Sequence, residues 1–323
     1  MAADSLIGGI INDLSLSTII ILDKTLADSQ ESTIVKSNVD GALLITALNG
    51  DNNPQGALIE SGSAVAGTLV IGSLNSQVDL PSNVGLTSAG LAGIVSANEA
   101  NKYLLGLIAN ALPDSTNSAV IKEKAALTNA VNQILKESPD TDSTVNLVTV
   151  TDSTSADSGP KDIIINSNNI SDIVALNMIA VHDHNTVVLG DVSNAVIIGS
   201  GTVRVSGTQD TLVIGDNANQ KLIGGSGSDT LVGGGGSDTL VGGSGDNTFG
   251  FNAEGHYGVI NAAAGDLLQF NIAGISNIDE LNALITDVVV NNNNTTYFFE
   301  GGSTVTLVGV SPDQVTADLI SFI

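Results

Sequence analysis

The sequence predicts a mainly β protein whose second half is a parallel β-solenoid. Three observations lead there. Apolar residues make up 42% of the chain while aromatics are only 3% and Trp is absent, so Val, Ile, Leu and Ala must build the core, and β-branched side chains pack best on pleated strands. From Thr186 onward short apolar runs start roughly eight to ten residues apart, each closed by Gly or Asp, the spacing of stacked coils with two short strands apiece. The stretch GGSGSDTLVGGGGSDTLVGGSGDNTFGF, residues 224–251, repeats with a period of nine.

Taken in order, residues 1–84 read as a β-rich region, with the runs TIIIL, STIVK, GALLITAL and GTLVIGSL between turn formers. Residues 85–138 switch to apolar spacings of three and four, in GLAGIVSANEANKYLLGLIANAL and SAVIKEKAALTNAVNQILKES, and predict a helical hairpin broken at Pro113-Asp114-Ser115. An irregular solenoid is predicted over residues 139–223. It opens on a polar segment with a flexible join at residues 152–160, followed by DIIIN, TVVLG, AVIIG, TVRVS, TLVIG and KLIGG. The perfect repeat fills residues 224–250. Over residues 251–323 the period is lost, and a cap is expected: a helix at residues 276–285 with Ser276 and Asp279 as its capping box, then a hairpin in VVVNNNNTTYFFE.

The chain carries 34 acidic and 9 basic residues, a net charge of −25. So few scattered cations cannot neutralise a phosphate backbone or an anionic bilayer, which argues against nucleic acid and membrane insertion. Cys is absent, so disulfides, thiolate nucleophiles and Cys-ligated metals are excluded. The first residues, MAADSLIGGIINDLSLSTIIILDKT, have no basic start and are interrupted by Asp4 and Asp13, unlike a secretory leader or a spanning helix.

Each nine-residue unit fits G-G-x-G-x-D-x-U-x. Its glycines, Gly225 and Gly227, Gly234 and Gly236, Gly243 and Gly245, let the turn bring carbonyl oxygens to a common point. Asp229, Asp238 and the pair Asp246 and Asn247 add side-chain oxygens, so each turn offers about half of an oxygen cage for Ca2+. Leu231, Leu240 and Phe249 close the roll from inside. With these residues the chain resembles the RTX family, nonapeptide-repeat calcium-binding proteins exported by bacterial type I secretion.

The resemblance implies a parallel β-roll with Ca2+ between turns eighteen residues apart. The turn of Asp229 then stacks on that of Asp246 and Asn247, making one good site. Asp238 faces Gln220 behind and His256 ahead, both departures from the motif, with Asp216, Asn217 or Glu254 as substitute ligands. The resemblance also implies an extracellular destination, at the cell surface or in a biofilm matrix. The tail SPDQVTADLISFI looks like a C-terminal export signal, and a chain that folds only with Ca2+ stays unfolded until it leaves the cell.

No catalytic pattern stands out: there is neither an H-E-x-x-H helix nor a G-x-S-x-G elbow. His182, Asp183 and His184 form the one concentrated candidate, and their ordinary reading is a polar turn rather than a metal site. With three Tyr and nine basic residues a sugar-cleaving groove is poorly supplied. The reading is therefore a non-enzymatic structural protein whose partner is itself, in a surface layer, matrix or filament, with STIIIL as a candidate joining strand. A calcium-dependent adhesin that binds cell-surface polysaccharide is the alternative, and a polysaccharide-acting enzyme ranks third.

Overall fold

The computed structural model describes residues 31–36, 43–48, 54–59, 64–71, 74–90, 145–155, 159–167, 173–190, 192–252, 255–260, 262 and 265–323, and scattered positions between 118 and 132. The N-terminal strands are β1 (Glu31–Lys36), β2 (Leu43–Leu48), β3 (Pro54–Ile59), β4 (Val65–Ile71), β5 (Leu74–Leu80) and β6 (Val84–Gly90), and all their pairings with one another are antiparallel. The last of them corrects the sequence reading, which placed a helix from residue 85. In VGLTSAG the glycines and β-branched residues suit an extended strand better than a helix. The described positions between 118 and 132 are helical, as expected, with the Thr128 hydroxyl donating to the Lys124 carbonyl at 2.7 Å. The rest of the expected hairpin, and STIIIL, lie outside the described residues.

From β7 (Val145–Asp152) onward the chain coils. Strands alternate between two sheets: β8 (Asp162–Ser167), β9 (Ile173–Asn177), β10 (Thr186–Gly190), β11 (Asn194–Ile198), β12 (Gly201–Val205), β13 (Leu212–Ile214), β14 (Gln220–Ile223), β15 (Thr230–Val232), β16 (Gly236–Val241), β17 (Thr248–Asn252), β18 (Gly255–Ile260) and β19 (Leu267–Asn271). Odd strands from β7 to β19 pair in parallel with the next odd strand in one sheet, and even strands from β8 to β18 do the same in the other. Leu212 lies beside Thr230 and Thr230 beside Thr248, so one coil of the repeat spans eighteen residues, as two nonapeptides require.

Inward side chains of both sheets fill the roll. Leu222, Leu231, Leu240 and Phe249 are all 0% exposed, and burying each such side chain contributes about 1.5–3 kcal/mol. Beyond the last repeat the filling turns aromatic, with Phe251 packed 5.1 Å from Phe270 between ring centroids, and Phe270 6.4 Å from Phe322.

The C-terminal segment closes one end. Helix α1 (Ile278–Leu284) is capped by Asn277, whose side chain accepts from the Glu280 amide at 3.0 Å. Glu280, not Asp279, reaches back to the amide and hydroxyl of Ser276. The capping box is therefore shifted by one residue from its predicted place, because Asn is as good an N-cap as Ser. The hairpin follows as β20 (Ile285–Asn291) and β21 (Asn294–Phe299), joined through Asn292 and Asn293 at φ 50° and 64°. Asn tolerates that left-handed region better than other non-glycine residues. After β22 (Thr304–Leu307), which pairs in parallel with β18, the tail ends as β23 (Ile320–Phe322) beside β19.

Candidate metal centre

Through the repeat, from Gly215 to Asn247, each coil passes from one sheet to the other by turns rich in Gly and Asp or Asn, and these turns stack in two ladders along the edges of the roll. On the first edge, side-chain oxygens accept from the backbone one coil earlier. The Thr211 amide donates to Asp229 Oδ1 at 3.0 Å, the Asp229 amide to Asn247 Oδ1 at 3.0 Å, and the Asn247 amide to Asp266 Oδ1 at 2.7 Å. Asp229, Asn247 and Asp266 are 1%, 1% and 4% exposed. On the second edge the Gln220 amide donates to Asp238 Oδ1 at 2.9 Å, and Asp238 is 3% exposed.

The glycines are required by this stacking. Gly234, at φ +91°, sits where a Cβ would lie 2.0 Å from the Asp216 carbonyl oxygen of the turn behind it. A Cβ on Gly224 would lie 2.1 Å from the Gly242 carbonyl oxygen and 2.8 Å from Asp229 Oδ2. Carbonyl oxygens of successive turns and the ladder carboxylates thus face the same narrow spaces. Among the described residues no group of three or more Asp, Glu or His side chains gathers closely enough to hold a metal by itself, so a cation there depends on those backbone oxygens.

The two edges are unequal in their hydrogen bonding. Asp229 has both oxygens occupied, the second by the Gly225 amide at 2.7 Å. Asp238 Oδ2 has no hydrogen-bond partner, and neither has the buried Oε1 of Gln220 in the turn behind it. Burial pushes the Asp238 carboxyl up to about 8, against the Gln220 amide bond, and the nearby Asp216 carboxylate adds to the rise. Burial likewise raises Asp229, opposed by the Gly225 and Thr211 amides. Buried acceptors without donors, facing carbonyl oxygens, are what a hard cation with oxygen ligands satisfies, so these residues fit Ca2+. Asp216 itself takes the Gly199 amide at 2.6 Å and the Ala218 amide at 2.8 Å, and accepts from the Gln220 side chain.

One expected neighbour is corrected, and one expected pair is divided. The strand register places Tyr257, not His256, beside Asp238, with His256 beside Ser237. One extra residue between β16 and β18 shifts the match. Of the expected pair Asp246 and Asn247, Asn247 stacks on Asp229, its Oδ1 accepting the Asp229 amide, while the Asp246 amide meets Ser228 Oγ at 3.3 Å. A Cβ on Gly265 would lie 2.4 Å from Asp246 Oδ1, so the carboxylate leans toward the next turn. Asp266 was missed by sequence reasoning, although GDLL keeps the Asp and the Leu two residues later that mark each unit.

His182 and His184 lie in the turn between β9 and β10, with ring centroids 5.5 Å apart. His182 Nδ1 is 3.3 Å from Asp152 Oδ2. Far from a flexible join, Asp152 ties this turn down. It accepts from the amides of Thr154 and His182, the Thr154 hydroxyl and the Asn185 side chain, at 2.9, 3.0, 2.6 and 2.8 Å. Burial acts to raise its carboxyl, but these bonds together prevail and hold it at about 2.

Stacked Gly-Asp turns on a parallel roll define a calcium-repeat architecture. Residues 214–249 match the RTX calcium-binding nonapeptide repeat in four copies, and such repeats bind Ca2+. The match includes the degenerate unit GDNANQKLI, residues 215–223, beyond the three units evident by eye. No curated protein matches the chain. Among solved structures it is similar to the extracellular lipase LipA from Serratia marcescens, with 17% identity and a TM-score of 0.29. The similarity covers 66% of this chain and 51% of the lipase, so the chain spans about half the length of that structure.

Proposed function

We propose that the protein is a secreted structural subunit that folds on Ca2+ outside the cell and then assembles with copies of itself. Ca2+ would be held between stacked turns. On one edge Asp238 and Asp216 would face it with the Gly233 carbonyl, and on the other Asp229 with Asn247. The ion supplies the positive charge that lets these buried carboxylates ionise together. At low intracellular Ca2+ the turns repel and the roll stays open, so export precedes folding. Among the described residues no helix is long and apolar enough to cross a membrane.

The observation that carries the assembly reading is the open edge of the roll. Among the described residues β20 ends its sheet with no partner strand on one side, and its Val288, Val289 and Val290 are 41%, 43% and 55% exposed. Unpaired backbone and apolar side chains on an edge strand are a template for another chain. Light scattering and electron microscopy of the purified protein test this: multimers or filaments are expected in Ca2+, and discrete monomers in both Ca2+ and EDTA would reject it. Binding to a polysaccharide by a monomer would favour an adhesin instead.

A further inference from the structure

The second ladder ends abruptly at Tyr257. Where another coil would put a ligand beside Asp238, the register puts this phenol, which is 2% exposed. Its hydroxyl donates to the carbonyl oxygen of Gly234, in the Asp238 turn, and accepts from the Asn252 amide at 3.2 Å. Gly255 makes room for the ring: a Cβ there would lie 2.1 Å from Tyr257 Cζ. The ring in turn packs edge-on against Phe251, 5.2 Å between centroids, at the head of the Phe251, Phe270 and Phe322 row that reaches the last strand.

We infer that Tyr257 is the stop of the cation ladder: its hydroxyl takes the Gly234 carbonyl that a further repeat would turn toward an ion, and its ring joins the last ion-bearing turn to the aromatic cap. A carbonyl already hydrogen-bonded to a phenol needs no cation, and the ring fills the space a further ion and its water would occupy. Beyond this point β18 and β22 continue the sheet without metal. Loading of the Asp238 turn therefore fixes Gly234, then Tyr257, then the cap. The inference rests on the reading of these turns as Ca2+ sites.

Tb3+, a luminescent substitute for Ca2+, tests it in the full chain. The protein has no Trp and three Tyr, so only tyrosine sensitises bound Tb3+ efficiently, and most strongly the nearest one. Tyr257→Phe keeps the ring and is expected to lose most of the tyrosine-sensitised emission at an unchanged number of bound ions, while Tyr297→Phe keeps most of it. Tyr257→Asp, which restores a carboxylate beside Asp238, is expected to bind one further Ca2+ per chain by equilibrium dialysis. Unchanged emission from the Phe variant, or a folded Asp variant with the wild-type ion count, overturns the inference while leaving the Ca2+ sites standing. No Tb3+ or Ca2+ binding at all removes both. If the Asp variant does not fold, the emission of the Phe variant decides.

Discussion

Asp238 is the residue on which the metal reading turns. Its Oδ2 is buried without a donor and the Asp216 carboxylate lies close by, so in the absence of a cation the charged form opposes folding. Asp238→Asn removes that charge. The variant is expected to gain less melting temperature than wild type from each further increment of Ca2+, which paired thermal melts along a Ca2+ series will show; an equal gain would count against a site there. Asp152 works in the other direction. Its carboxyl is held at about 2 rather than the usual 3.8, so it contributes stability above about pH 4 that is lost as the pH falls from there toward 2. Asp152→Asn in Ca2+ should cost about 1–3 kcal/mol at neutral pH, since buried donors lose their acceptor, and should flatten the acid limb of a stability profile. A variant with the wild-type acid limb would disprove the role of this carboxylate.

At the scale of elements, each nonapeptide contributes one turn and one short strand, and its apolar residue seals the interior. Leu240 is 0% exposed between Leu222 and Val259 of the neighbouring coils. Leu240→Ala should therefore cost about 2–5 kcal/mol in Ca2+ denaturant titrations, as large-to-small changes in close-packed cores do. A cost below that range would mean the coil repacks freely. This much was legible in the sequence, because period, inward Leu and turn glycines are local signals. Less was legible where the period slips. One added residue before β18 exchanged His256 for Tyr257, and of Asp246 and Asn247 it is Asn247 that joins the ladder, because the ladder selects the residue directly before the strand. β6 was grouped with the helical hairpin because the three- and four-residue spacing begins at its last residue, in GLAGIVSANEA, although pairing with β3 and β7 on either side decides the strand. Asp152 looked like a linker residue because the chain around it is polar, and its partners His182 and Asn185 are distant in sequence.

At the scale of the whole molecule, the described residues form two sheets of twelve and eleven strands, and the repeat supplies only some of the strands in each. On the proposed reading, the turns act as a Ca2+-dependent fastening within a longer roll, and assembly takes place at its edges. The composition supports that view, because a chain at −25 repels copies of itself until divalent cations offset its charge. The measurement that bears most directly on the account is circular dichroism of the purified protein during Ca2+ titration from EDTA. The account predicts little β signal without Ca2+ and a cooperative gain of β structure as the ion is added. A full β spectrum in EDTA, unchanged by Ca2+, would contradict it.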